Sequence, residues 1–293
     1  MTPRVPPELE RYIVEMYALE CPGPERILQL LPVCHRMRAW LEPALYRTLI
    51  FNDGSDEQRL PSCEIDAIER VSSAYPGALD TVVKNIMLIG EPRDTVGRVL
   101  SSCNGAENVF LAGCTTDGLD LSQLFPSLRR LHCTAETLEL LSWKPEVLGF
   151  NFPSLTHLEL FNVDSPSHGG VTQTLLGLLS EEHFPHLAHL AISATAVIRS
   201  LPEVIPHLQR LESLVIVSAY RVVSPNSLSE DDRRILMTDK RIVLVSVPDY
   251  IEDWQDGVLG RNDYWARAAR RIANRLSGAV DASRYAVNFD DVE

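Results

Sequence analysis

Apolar residues in the middle of the chain recur in one phrase. Leu128-Arg129-Arg130-Leu131-His132-Cys133, Leu155-Thr156-His157-Leu158-Glu159-Leu160 and Leu187-Ala188-His189-Leu190-Ala191-Ile192 share the form apolar-x-x-apolar-x-apolar. Each follows a Phe-Pro pair, at Phe125-Pro126, Phe152-Pro153 and Phe184-Pro185. Leu211-Glu212-Ser213-Leu214-Val215-Ile216 is a looser copy behind Ile205-Pro206-His207-Leu208, and Ala106–Leu111 and Val83–Leu88 keep only the apolar positions. The alternation predicts a short strand with every second side chain turned inward. Proline forces the residue before it out of the helical region, so each Phe-Pro predicts a corner where a helix ends and phenylalanine plugs the core. Apolar residues at helical spacing fill the gaps, with Ile65, Ile68 and Val71 in 64–75 and Leu175, Leu178 and Leu179 in 171–183.

The first apolar positions of the copies stand at 83, 106, 128, 155, 187 and 211, in steps of 23, 22, 27, 32 and 24 residues. Leucine-rich repeats run about 20–29 residues, so the long step carries an insertion, placed at the polar Pro- and Gly-containing stretch 163–170. No single helix–corner–strand unit can bury its own apolar face. The expected fold is therefore an α/β solenoid over about 51–247, with a parallel sheet inside an arc and helices outside. The residues flanking the second apolar position of each copy point away from the core and form ladders. The expected substrate-binding face is Asn85, Met87, Asn108, Phe110, Arg130, His132, His157, Glu159, His189 and Ser213, with Ala191 and Val215 completing the ladders. Three histidines among them allow a metal site, a pH-sensitive surface or a mixed polar surface for a polypeptide. One histidine per repeat is not close ligand spacing, so the polypeptide surface leads and no metal or other cofactor is expected.

Residues 1–50 read differently. Val5-Pro6-Pro7-Glu8 predicts proline entry into a helix on which Leu9, Ile13 and Met16 share a face. Cys21-Pro22-Gly23-Pro24 breaks the chain. A second helix carries Ile27, Leu28, Leu30 and Leu31, and a third runs from about Val33 through Trp40 to Tyr46. At the other end, Arg241–Val247 predicts a final strand. Asn262 or Asp263 caps a helix reaching about Leu276, with Trp265, Ala268, Ala269, Ile272 and Leu276 on its apolar face. Arg267, Arg270, Arg271 and Arg275 fall largely opposite, as a solvated face or as a basic strip for an acidic partner. Residues 248–293 are expected to cap the last repeat and end in a loose acidic tail.

The opening PPELERYIVEMYAL, the run LLPVCHRMRAWLEPALYRTLIF and the stretch DDRRILMTDKRIVLVSVPDYIEDWQDGVLGRNDYWARAARR resemble the F-box-like leucine-rich-repeat proteins common in mushroom-forming fungi. The resemblance covers nearly the whole chain. It implies a three-helix F-box-like module docking on a Skp-type adaptor of a cullin ubiquitin ligase, with the repeats selecting a protein substrate. It assigns the adaptor-facing surface to Pro7, Leu9, Ile13, Leu28, Leu31, Val33, Cys34 and Trp40. Two positions depart from the pattern. Val5 stands where a leucine is usual, and Met37 where many F-boxes have an aromatic residue. The alternative is a protein-binding repeat scaffold whose helices only cap the solenoid, since a Leu/Ile/Trp stripe also serves as core.

Composition narrows the classes further. The 293 residues carry a net charge of −13, which argues against a nucleic-acid groove or an anionic membrane surface as partner. No apolar run reaches a membrane span, and MTPRVPPELERY lacks the apolar stretch of a signal peptide. The six cysteines show no tight pairing, and Cys34 and Cys133 are expected as inward-facing reduced thiols of a cytoplasmic or nuclear protein. No phosphate loop or nucleophile elbow appears, so an enzyme is the remote alternative.

Overall fold

The computed structural model describes residues 5–20, 24–52, 60, 62–74, 76–116, 119, 126–142, 152–163, 175–176, 179, 183–193, 195–207, 210–219 and 228–288. Phe125, Leu178, Leu208, the insertion at 164–170 and the acidic ending at 289–293 lie outside them.

The protein is α/β. Its centre is a nine-stranded sheet whose strands stand side by side in chain order, every pair parallel. They are β1 (Thr48–Asn52), β2 (Asn85–Ile89), β3 (Asn108–Ala112), β4 (Arg130–Thr134), β5 (His157–Phe161), β6 (His189–Ile192), β7 (Ser213–Ala219), β8 (Ile242–Val247) and β9 (Ala286–Val287). The repeated phrase sets the register. Leu49, Ile86, Val109, Leu131, Leu158, Leu190, Leu214 and Ile242 pair in one unbroken row across β1 to β8. Because side chains alternate between faces, that row and its partners two residues on point to the same side, where the main core lies. The six segments read from the sequence are thus adjacent and codirectional. β1 and β9 were not expected; β1 lacks the full phrase and β9 is only two residues long.

Helices cover the core side. These include α4 (Ile65–Ala74), α5 (Ala78–Val82), α6 (Arg93–Ser102), α7 (Ala135–Ser142), α8 (Leu201–Val204) and α9 (Glu230–Thr238). They contribute Ile68, Leu79, Val96, Val99, Leu100, Leu138, Leu201 and Leu236 to one continuous apolar cluster with the strands. Phe152 and Phe184 act as the expected corner plugs: both are buried, and their rings stack at 5.7 Å and 4°. Cys133 is buried, and burial raises its thiol. Burial, aided by Asp80 and Cys63, pushes Cys103 up to about 12.

Leu158 is fully buried at the middle of the row. Leu158→Ala removes a side chain from a packed interior, and costs of about 2–5 kcal/mol are usual for such changes. Urea unfolding should therefore show a lower midpoint with an unchanged slope.

Three helices precede the sheet: α1 (Pro7–Glu20), α2 (Pro24–Leu30) and α3 (His35–Leu45). Val14, Ile27 and Leu41 form their own small core, flanked by Leu30, Leu31, Met37, Ala44 and Leu45 and separate from the main cluster. Cys34 corrects an expectation. It is exposed, and its sulfur accepts the Met37 backbone N–H at 3.5 Å as the N-cap of α3.

The C-terminal segment is the largest correction. It covers the outer edge of β8 with β9, and it also does something no local pattern announced. α10 (Tyr250–Val258) and α11 (Tyr264–Ser277) lie across the inner face of the sheet, opposite the main core, before the chain adds β9 beside β8. So β8 is not the final strand. Of the two cap candidates Asn262 and Asp263, Asp263 caps α11 through the Ala266 N–H at 2.8 Å. Trp265, Ala268 and Ile272 are buried against Val215, Val217, Val243, Val245 and Val247, whereas Ala269 and Leu276 face solvent. The arginines overturn the solvated-face and basic-strip readings. Arg267, Arg271 and Arg275 are buried, and of the four only Arg270 is exposed. Arg275 donates to the carbonyls of Lys240, Ile242, Leu236 and Ala282, and Arg271 to those of Arg284 and Ala286. The guanidinium forks thereby satisfy backbone acceptors that the short β9 and the loops leave open.

Candidate functional site

Two surfaces carry the residues singled out from sequence. On the helical module, Pro7, Leu9, Ile13, Leu28, Val33 and Cys34 are exposed, while Leu31 and Trp40 are half-buried. Leu31 packs on the module core, and the Arg36 guanidinium lies 5.3 Å from the Trp40 ring. Spacing on α1 explains the split. Val14 turns inward, and Leu9 (54%), Tyr12 (61%), Ile13 (58%), Met16 (39%) and Tyr17 (44%) share an outward face. Tyr12 and Tyr17 were missed as site residues. Their i+3 and i+4 spacing from Leu9 and Ile13 is the signal that marks them. A contiguous apolar face of this kind, with charged residues at its border, is a feature of interaction sites.

The second surface is the inner face of the sheet. The ladder residues do share this face, but they are not an open groove. Met87, Asn108, Phe110, His132, Glu159 and Ser213 are buried, and Asn85, Arg130, His157 and His189 are half-buried. Ala191 and Val215 are buried as well. The expectation of a free concave surface fails because α10 and α11 fill it, a long-range packing that no local pattern announces.

Polar groups hold this layer together. Glu159, 1% exposed, receives the Tyr264 O–H at 2.8 Å and the Ser193 O–H at 3.1 Å, and its Oε2 lies 2.7 Å from His132 Nδ1. With the carboxylate ionised, His132 presents Nδ1–H to it. Burial, and then the neighbouring Glu159, raises the Tyr264 hydroxyl well above its ordinary value, which keeps it a donor. Arg130 reaches Asp263 at 3.4 Å. Asp253 accepts from Arg267 at 2.7 Å and from the Tyr264 backbone N–H at 2.8 Å. Burial raises Asp253 to about 6, with Arg267 opposing. The Trp254 indole N–H points to Asn108 Oδ1 at 3.3 Å, and its ring meets Phe110 edge-on at 6.2 Å.

His157 and His189 pair in register, with ring centroids 4.2 Å apart, and Trp265 stands perpendicular to His157 at 5.1 Å. Burial, then Arg130, drives His157 down to about 2, and burial also lowers His189. A base whose folded pKa lies below its unfolded 6.5 contributes stability above pH 6.5, and that stability drains as the pH falls. His157 thus removes up to about 1.4 kcal/mol per pH unit below 6.5. Asp253 acts oppositely, since below about 6 its folded form gains protons before the unfolded one. Urea midpoints should drop from pH 7 to pH 6 and fall further below that, with Asp253 offsetting part of the loss from the two histidines, and His157→Asn should shrink the first drop. An equal drop in His157→Asn would contradict this assignment.

Among the described residues, no helix is long and apolar enough to cross a membrane. No protein-family model matches the chain, and no curated protein matches it.

Proposed function

We propose that the protein is the substrate-recognition subunit of a Skp–cullin ubiquitin ligase, acting in the cytoplasm or nucleus. It is built as an F-box-like module on a leucine-rich-repeat solenoid, and it carries no catalytic step itself. The observation that carries the reading is the outward apolar face of α1, with Leu28 and Val33 also exposed on the same module and a core of its own beneath. A helical cap that only sealed the sheet would bury that face. Parallel strands in chain order, keyed by one repeated phrase, support the solenoid. In this reading the module holds the adaptor and the repeat array holds the protein substrate.

A second reading, a protein-binding repeat scaffold with a vestigial module, draws on a specific observation: the chain's own helices fill the inner face. Co-expression of the full chain with a Skp-type adaptor separates the two. The ligase reading expects a one-to-one complex on size exclusion. A folded chain that elutes alone in the presence of excess adaptor favours the scaffold.

A further inference from the structure

We propose that α10 is a displaceable occupant of a ligand groove on the inner sheet face, and that the partner it stands in for is a polypeptide presenting a tryptophan on a short helical turn. This deepens the substrate-recognition half of the reading above and rests on it. The two helices over the sheet hold on by different means. α11 sits on a dry floor of Val215, Val217, Val243, Val245 and Val247, and its arginines tie it to backbone carbonyls around β8 and β9. It is the anchor. α10 sits on a mixed floor, where Ile50, Met87 and Phe110 form an apolar seat bordered by Asn108 and, through Ser193 and Tyr250, the Glu159 cluster.

The seat fits an indole. Trp254 fills it, and its one polar atom finds Asn108 at 3.3 Å. All four lining residues belong to strands, so the seat does not depend on α10 for its construction. A tryptophan supplied in trans meets the same partners. Tyr250 adds a second anchor, with its hydroxyl 2.8 Å from Ser193 and its ring 5.7 Å from Phe161.

The closed position has features of a lid. α10 spans nine residues between Pro248-Asp249 and a Leu259-Gly260 turn in which Gly260 adopts φ +72°. Gln255 is buried with its oxygen on the Leu60 N–H at 2.9 Å, but its Nε2 has no partner among the described residues, which disfavours the closed form. The latch is Asp253, which opening must pull from Arg267 and the Tyr264 N–H.

Hydrogen exchange on the full chain tests the lid directly. Amides of Tyr250–Val258 should exchange at least 100-fold faster than those of Tyr264–Ser277, and Asp253→Asn should widen the gap. Exchange of both helices at the same rate, that of global unfolding, would overturn the proposal. A peptide of residues 249–261 then tests the groove. It should bind full-length Trp254→Ala at least tenfold more tightly than the wild type, and lose that binding when Asn108→Ala and Met87→Ala are added. No binding to folded Trp254→Ala would also overturn the proposal. If that variant does not fold, the wild-type exchange pattern decides alone. Neither assay contains the adaptor, so failure here is distinct from failure of adaptor docking.

Discussion

Glu159→Ala should lower the stability of the whole chain by about 1–3 kcal/mol or more, the usual cost of leaving buried polar partners unsatisfied. The loss follows from what is left behind. His132 Nδ1 and the Tyr264 hydroxyl both address this carboxylate and both residues are buried, so each loses its partner where water does not replace it, while half-buried Ser193 keeps the Tyr250 hydroxyl. The effect is not that of a hole alone. Glu159→Gln keeps the shape but offers an amide nitrogen where acceptors are needed, so it should still lose a large part. The double variant His132→Leu, Glu159→Leu removes the histidine donor together with its acceptor and refills the space, leaving only the buried Tyr264 hydroxyl unpaired. It should therefore be more stable than Glu159→Ala. Urea unfolding of the four chains gives the comparison. If Glu159→Ala falls within about 0.5 kcal/mol of the wild type, as surface substitutions do, the cluster does not hold the C-terminal helices to the sheet.

The second large effect concerns binding rather than folding. Leu9→Asp and Ile13→Asp should each weaken adaptor capture by at least about 30-fold, since hot-spot losses of about 2 kcal/mol or more come from anchors at the centre of an interface. Both side chains are more than half exposed, so a carboxylate there stays hydrated in the free chain. The unfolding free energy from urea titration should stay within about 0.5 kcal/mol of the wild type, as expected of a surface change. Val14→Asp makes the contrast: Val14 is buried in the module core, so that variant should lose helix content and binding together.

The parts of the fold written in local periodicity were legible. Leu131, Leu158 and Leu190 announce strands that stack in register, and Phe152 and Phe184 announce the corners. The pair Asn262-Asp263 announces a helix start, and the second of the two is the cap. What escaped depends on contacts far apart in sequence. Nothing near Glu159 says that Tyr264, 105 residues on, will cover it. An alternation of polar and apolar residues reads as a wet face in a solenoid, and here the polar members pair with a second layer instead. The buried arginines escaped for a related reason. Arg267, Arg271 and Arg275 repeat every four residues, and the charge pattern alone cannot distinguish solvent from a set of open carbonyls. Cys34 was assigned inward because cysteine is usually buried, but at the start of α3 its sulfur serves as a cap.

On the module, the apolar residues were legible as a set but not as two sets. Helical spacing places Leu9, Ile13 and Met16 together, yet the decision to bury Val14 and expose that face depends on how α1 meets α3.

Backbone hydrogen exchange of the full chain, alone and with saturating Skp-type adaptor, tests the central proposal most directly. New protection is expected in α1, α2 and α3 alone, with the amides of 48–288 unchanged. Protection spread over the sheet and its covering helices, or none at adaptor concentrations that saturate an established F-box protein, would contradict that expectation.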